Sequence, residues 1–166
     1  MQNNPALTSK EIEILAAAAE RIFPRTDTPG AIEIGALDYI RIALAGDYAS
    51  LLPFYREGLR AIDEHARTRF GARFASLSGD EQDLILGEFE SGAVPKFKKA
   101  AEFFATLRSH VLEGVFGEPH YGGNKDMLGW RLVGFPGQQF GYADPYINKR
   151  VDLEPVATDY REKAKK

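Results

Sequence analysis

Apolar residues recur at helical spacing from the start of the chain to Gly117, and this pattern predicts about five helices. The first helix begins at Thr8, because Thr8 precedes Glu11 at the spacing of a capping box. It ends before Pro24, because proline cannot continue the hydrogen-bond ladder. In chain order, the predicted helices cover residues 8–22, 31–45, 50–70, 78–91 and 97–117.

Residue types at the predicted helix ends agree with these boundaries. Ser78 and Glu81 repeat the capping-box spacing at the start of the fourth helix. Pro53 falls in the first turn of the third helix, where its missing N–H costs little, and Gly71 is a suitable C-cap. No alternating strand pattern interrupts these helices, and a length of 166 residues suits one domain. The sequence therefore predicts an all-α fold, with a single domain over residues 1–166 whose helical part covers 8–117.

The pattern changes at Glu118, where glycine and aromatic residues replace the helical spacing. This density of glycine cannot support a long helix, so residues 118–166 are predicted to form an irregular arm and tail. Within the arm, residues 128–135 are expected to form a short strand or a turn of helix. The glycines of this segment are Gly122, Gly123, Gly129, Gly134, Gly137 and Gly141. Its aromatic residues are Tyr121, Trp130, Phe135, Phe140, Tyr142 and Tyr146.

The aromatic side chains of this arm are the strongest candidates for a functional surface. In a segment with little regular structure, they must pack back on the helices or be covered by another molecule. As a set they exceed what a loop needs, which predicts that part of the group forms an interface. For any one of them, including Trp130, packing into the core of the domain is the alternative.

Composition narrows the range of partners and chemistry. The net charge is -3 with 27% charged residues, so the chain has no broad basic field that would attract nucleic acid or an anionic membrane. The absence of cysteine removes disulfides, thiolate metal sites and cysteine nucleophiles. No apolar run approaches the roughly 20 residues of a membrane helix, and no secretion signal is visible at the start. We therefore expect neither nucleic-acid binding nor direct membrane insertion.

The three histidines are the first candidates for catalysis or metal binding. Their spacing matches no metal-ligand pattern, and for His65 and His110 a surface or hydrogen-bonded structural role is the simpler interpretation. His120 opens the glycine-rich segment, so a general-base role remains the alternative for this residue. The Tyr-Gly-Gly-Asn run at 121–124 matches neither the dinucleotide fingerprint nor the P-loop, and it predicts a rigid turn. We expect no catalytic, cofactor-binding or metal-binding residue in this chain.

Two parts of the chain, taken together, form a recognisable pattern. Near the N-terminus, an Arg-Ile-Phe-Pro run at 21–24 precedes an Asp-Thr-Pro-Gly-Ala run at 27–31. In the arm, the pattern continues with His120, Tyr121, Gly122, Gly123, Asn124, Gly129, Trp130, Gly134, Phe135, Pro136 and Gly137. Over about residues 7–142, this pattern resembles the gluconate 2-dehydrogenase subunit 3 family.

The resemblance implies a non-catalytic small subunit of a dehydrogenase that oxidises sugars or sugar acids. Its partner would be a large flavoprotein of the glucose-methanol-choline oxidoreductase type, which holds FAD and the catalytic residues, and a cytochrome commonly takes the electrons. Family members help to stabilise or export this catalytic subunit. Glucoside 3-dehydrogenases are the first expectation for the substrate class. The resemblance favours the periplasm, whereas the lack of a visible signal leaves the cytoplasm as the alternative.

The arm is predicted to bind the flavoprotein. The predicted partner-binding residues are His120, Tyr121, Gly122, Gly123, Asn124, Trp130, Phe135, Pro136 and Tyr142. Two other functions remain compatible with the sequence: a self-contained helical enzyme that uses a cleft at His120, and a transient chaperone that leaves once its client has folded.

Overall fold

The computed structural model describes residues 7–138 and 153–158. The α-helices of these residues are α1 (Ser9–Ile22), α2 (Ala31–Ile34), α3 (Ala36–Ala45), α4 (Leu52–Phe70), α5 (Gly79–Ser91), α6 (Ala100–Phe116) and α7 (Leu128–Val133). Short 3-10 turns lie at Ala49–Leu51, Phe74–Ser76, Pro119–Tyr121 and Lys125–Met127. Helices and turns together make up 69% of the described residues, which include no strand, and the all-α prediction is confirmed. None of these helices combines the length and the apolar character that a bilayer crossing requires.

The sequence signals at the helix ends are confirmed. At the start of α1, the Glu11 carboxylate accepts the backbone N–H of Thr8 at 2.7 Å, and the Thr8 hydroxyl accepts the backbone N–H of Glu11 at 3.3 Å. Ser78 and Glu81 form the same capping box at the start of α5. Gly71 ends α4 in the left-handed conformation, with φ of 74°. These ends depend on local residue types, which is why the sequence predicts them well.

The second predicted helix is wrong as a single element. Residues 31–45 form α2 and α3, because Gly35 between them takes a φ of 98° and breaks the helix. A residue with a Cβ strongly disfavours this conformation. The Lys125 side chain packs against Gly35, since a Cβ on Gly35 would lie 2.9 Å from Cε of Lys125. The break therefore gives Lys125 of the arm a place against the start of α3.

The predicted start of the fifth helix, at residue 97, is also wrong. The helix α6 begins at Ala100, and the preceding residues form turns in which the Phe97 N–H donates to the Val94 carbonyl oxygen. Phe97 is nevertheless buried. The apolar spacing placed the start of the helix too early, because Phe97 packs into the same core as α6 although it lies in a turn.

The helix α6 is the centre of the fold and contacts each of the other six α-helices of the described residues. Phe103, Leu107 and Val111 on this helix are completely buried. Gly114 lets α3 approach closely, since a Cβ at this position would lie 2.7 Å from Cα of Ala36. The C-terminal end of α6 and the helix α3 therefore lie side by side, and the arm begins where they meet.

Candidate partner-binding cleft

An open cleft of about 630 Å³ lies between α3, the loop after it, the C-terminal end of α6 and the following turn. We call it the α3–α6 cleft. Its aromatic side chains are those of Tyr39, Tyr48, His120 and Tyr121, and its carboxylates are those of Asp47, Glu113 and Glu118. No Lys or Arg of residues 7–138 or 153–158 lines it. The cleft is thus aromatic and acidic, and two of the predicted partner-binding residues line it.

Glu113 is the hydrogen-bonding centre of the cleft. Its Oε2 accepts the Tyr39 hydroxyl at 2.6 Å and the Tyr48 hydroxyl at 3.2 Å. Its Oε1 accepts the Ser109 hydroxyl at 3.2 Å. Burial, reinforced by the hydrogen bond to Glu113, raises the pKa of Tyr39 above its ordinary value of 10, so this phenol stays protonated and donates. The half-buried carboxylate is thus held by neutral hydroxyl groups.

His110 lies beneath the cleft in a stack of aromatic rings. Its ring centroid is 4.6 Å from that of Tyr48 and 5.7 Å from that of Tyr55, with the rings nearly parallel. Its Nδ1 is 2.7 Å from the Tyr55 hydroxyl oxygen. Burial lowers the pKa of His110 below its ordinary value of 6.5, and the Glu113 carboxylate opposes this shift. The interpretation of His110 as a hydrogen-bonded structural residue is confirmed.

His65 is remote from these rings and packs elsewhere in the molecule. Its Nε2 is 2.5 Å from Oε2 of Glu88, and its ring contacts Phe89 edge-on at 6.1 Å between centroids. The interpretation of His65 as a hydrogen-bonded structural residue is therefore also confirmed. No group of three or more His, Asp or Glu residues in the described parts of the chain is placed to hold a metal ion.

The glycine-rich turn after α6 closes the end of that helix. A helix C-terminus leaves its last carbonyl groups unpaired, and Asn124 supplies two of the missing donors. Its backbone N–H donates to the Gly114 carbonyl at 2.7 Å, and its Nδ2 donates to the Gly117 carbonyl at 2.8 Å. Its Oδ1 accepts the Gly129 N–H at 2.9 Å. Asn124 is completely buried, so it joins the end of α6 to the start of α7 inside the protein.

Trp130 completes this closure. Its indole Nε1 donates to the Phe116 carbonyl at 2.6 Å, and only 3% of the residue is exposed. Two glycines allow this segment to approach the end of α6 closely. A Cβ on Gly123 would lie 2.2 Å from the carbonyl oxygen of Gly114, and a Cβ on Gly129 would lie 1.9 Å from that of Val115. The structure therefore shows the alternative in which Trp130 packs inside the domain. It also shows that residues 128–133 form a helix rather than a strand.

A model of the family described as gluconate 2-dehydrogenase subunit 3 matches residues 9–137. The match runs from the first helix to the end of the glycine-rich turn and includes both walls of the cleft. The chain belongs to the gluconate 2-dehydrogenase subunit 3 family. It is accordingly a subunit of a multi-subunit dehydrogenase, as the family's name states. Searches of curated proteins and of solved structures return no match to the subunit.

The predicted partner-binding residues of the subunit differ in exposure. His120, Tyr121 and Phe135 are exposed, Gly122 and Pro136 are half-buried, and Gly123, Asn124 and Trp130 are buried. Tyr142 lies outside the described residues. A partner can touch the exposed members directly, whereas the buried members are covered by the rest of the subunit. Contact with a partner remains a prediction for all of them.

Sequence reasoning missed the opposite wall of the cleft. Tyr39 and Tyr48 come from α3 and the loop after it, whereas Glu113 comes from α6, 74 positions after Tyr39. No local spacing connects residues so far apart. A carboxylate one turn after the buried His110, near the C-terminal end of α6, is the one signal that could have drawn attention to Glu113.

Proposed function

We propose that the subunit binds and stabilises the FAD-containing catalytic subunit of a dehydrogenase that oxidises sugars, glycosides or sugar acids, and that it catalyses no step itself. The observation that carries this proposal is the family match over residues 9–137. The proposed partner is a large flavoprotein of the glucose-methanol-choline type, in a complex that a cytochrome can join. Glucoside 3-dehydrogenase activity is the first expectation for that complex, and the periplasm is its proposed location.

Exposed apolar side chains beside the glycine-rich turn support a docking role. Ile42 and Tyr121 line the α3–α6 cleft and are 57% and 53% exposed. Val133 and Phe135 lie at the end of α7 and are 62% and 44% exposed. Covering large apolar side chains removes them from water, which favours association. Large apolar side chains exposed in one region of a protein are typical of an interface.

The position of His120 in the cleft favours a second function, that of an enzyme with its own active site. His120 is exposed and stacks on Tyr121, with 3.9 Å between ring centroids. Within the described residues, however, its imidazole has no hydrogen bond to a carboxylate that would orient it as a base. The same purification tests both functions.

The test is to produce the tagged subunit in its native host and to isolate it under mild conditions. We expect a flavoprotein to co-purify in a fixed ratio, and the complex to reduce an artificial electron acceptor with glucosides, sugars or sugar acids. The subunit produced alone should be colourless and inactive. Turnover by the subunit alone would establish the enzyme instead. A flavoprotein that depends on the subunit for FAD loading but does not retain it would establish the transient chaperone.

A further inference from the structure

The charge of Glu113 has no cationic partner in the part of the chain that the structure describes. Two other half-buried carboxylates, of Asp63 and Glu88, have 18% and 22% of their side chains exposed, and each pairs with an arginine of this chain. Glu113 is also half-buried, but its described partners are hydroxyl groups. A partly buried carboxylate attracts a positive charge more strongly than one in bulk water. Glu113 therefore presents a negative charge in an open cleft, where a cation from another molecule can reach it.

The surroundings of Glu113 determine which cation fits. Asp47 and Glu118 also line the cleft, so a positive charge there meets further carboxylates and no competing Lys or Arg of the described residues. The rings of Tyr48 and Tyr121 provide aromatic faces on which a cation can stack. A guanidinium group suits this combination better than an ammonium group, because it is planar, stacks on aromatic rings and bonds a carboxylate with two N–H groups.

The geometry points to an arginine side chain of the flavoprotein partner as the occupant of the α3–α6 cleft, where it stacks on a tyrosine and pairs with Glu113. This inference rests on the proposed function, because it assigns the arginine to the proposed partner. In this arrangement, the ion pair in the cleft is the charged contact of the interface. The exposed Ile42 and Tyr121 at the cleft form the apolar contacts around this ion pair.

The test compares two variants of α6 that lose the same charge. Glu113→Gln keeps an oxygen that can accept the tyrosine hydroxyls but removes the negative charge. Glu102→Gln removes an exposed carboxylate on the first turn of the same helix, away from the cleft. Binding to the purified flavoprotein partner is measured at low and high salt. We expect Glu113→Gln to weaken the complex by about tenfold or more and to reduce its salt dependence, and Glu102→Gln to bind like the wild type.

Chemical modification identifies the arginine. Phenylglyoxal is reacted with the flavoprotein alone and in the complex, and mass spectrometry locates the modified arginines. We expect one arginine to be protected by the wild-type subunit and to become reactive in the complex with Glu113→Gln. If no arginine is protected, or if protection is the same with both subunits, the inference is wrong.

Failure of this inference is distinguishable from failure of the proposed function. A wild-type subunit that binds no flavoprotein contradicts the function itself. A stable complex in which Glu113→Gln binds like the wild type contradicts only the arginine. Weakening by Tyr121→Ala in that case would mean that the cleft receives an uncharged segment. If thermal melting shows that Glu113→Gln does not fold, Asp47→Asn combined with Glu118→Gln removes two other charges of the cleft. Wild-type binding by that double variant would also contradict the inference.

Discussion

The glycine-rich segment after α6 has an inner and an outer set of residues that resemble each other in sequence but differ in position. The inner residues are Gly123, Asn124, Gly129 and Trp130, and the outer residues are His120, Tyr121 and Phe135. Trp130 is 3% exposed and Tyr121 is 53% exposed, although both are aromatic residues of one short segment. Among the inner residues, Asn124 and Trp130 donate hydrogen bonds to carbonyl groups at the end of α6, whereas the outer residues are exposed to solvent. The comparison teaches that a motif can matter to a partner through the surface it holds in place, without touching that partner.

The largest expected effect is that of Trp130→Ala. This change removes a buried aromatic side chain and leaves the Phe116 carbonyl without its donor. Such truncations typically lower the free energy of unfolding by about 3–5 kcal/mol, which lowers the Tm of a domain of this size by about 10 °C. Thermal denaturation of the isolated subunit, followed by circular dichroism, measures the effect.

Trp130→Phe is the matched control. It keeps an aromatic ring but loses the indole N–H, so we expect a smaller drop in Tm than for Trp130→Ala. A Tm of Trp130→Ala equal to that of the wild type would show that the indole stabilises nothing in the isolated subunit, and the division into inner and outer residues would then be wrong.

Asn124 tests the inner residues through hydrogen bonds rather than burial. Asn124→Ala leaves the Gly117 carbonyl and the Gly129 N–H without their partner and places a Cβ residue without a polar side chain at a φ of 45°. Unsatisfied buried groups and left-handed strain together are expected to lower the free energy of unfolding by about 2–4 kcal/mol. Urea denaturation measures this change. Asn124→Gly relieves the strain but not the lost bonds, so its stability should lie between those of Asn124→Ala and the wild type.

Substitutions of the outer residues are expected to weaken binding to the partner and to have little effect on stability. Tyr121→Ala removes an exposed side chain, so the Tm of the isolated subunit should change little. Phe135→Ala also loses an edge-on contact with Trp130, at 5.0 Å between ring centroids, so its Tm should fall slightly but far less than that of Trp130→Ala. If these residues dock on the flavoprotein, each variant should weaken the complex by about fivefold or more, since interface residues of this kind commonly contribute over about 1 kcal/mol. Leu84→Ala is a suitable control, because Leu84 is 51% exposed on α5, outside the segment. Equal binding by all three variants would place the interface elsewhere.

The sequence predicts local features of this molecule well and long-range ones poorly. The capping boxes at Thr8 and Ser78 depend on residues a few positions apart, and both are present. The break at Gly35 was missed because the apolar spacing continues across it, whereas the left-handed conformation of Gly35 is visible only in the structure. The burial of Trp130 could not be decided from the sequence, since it depends on where the end of α6 lies. Glu113 was missed because its contacts with Tyr39 and Tyr48 join residues that are far apart in the sequence.

The smallest expected effect separates a buried histidine from an exposed one. Burial lowers the pKa of His110 in the folded subunit below the ordinary value of 6.5 that applies in the unfolded chain, and Glu113 partly opposes this shift. As the pH falls below about 6.5, the unfolded chain therefore binds a proton that the folded subunit does not, and the free energy of unfolding decreases. At higher pH both states are neutral at this position, so the contribution of His110 to the pH dependence disappears.

Urea denaturation between pH 7.5 and 5.5 measures this dependence. His110→Gln should lose less stability on acidification than the wild type, whatever its stability at neutral pH, because it lacks the titrating ring. Only the slope is compared, since His110→Gln also changes the bond to Tyr55 and the stacking on Tyr48. His120→Gln replaces a histidine that is exposed at the cleft and serves as the matched substitution. If the free energy of unfolding has the same pH dependence in the wild type and in His110→Gln, then His110 is protonated as readily in the folded subunit as in the unfolded chain. The ring stack beneath the cleft would then open more readily than its contacts suggest.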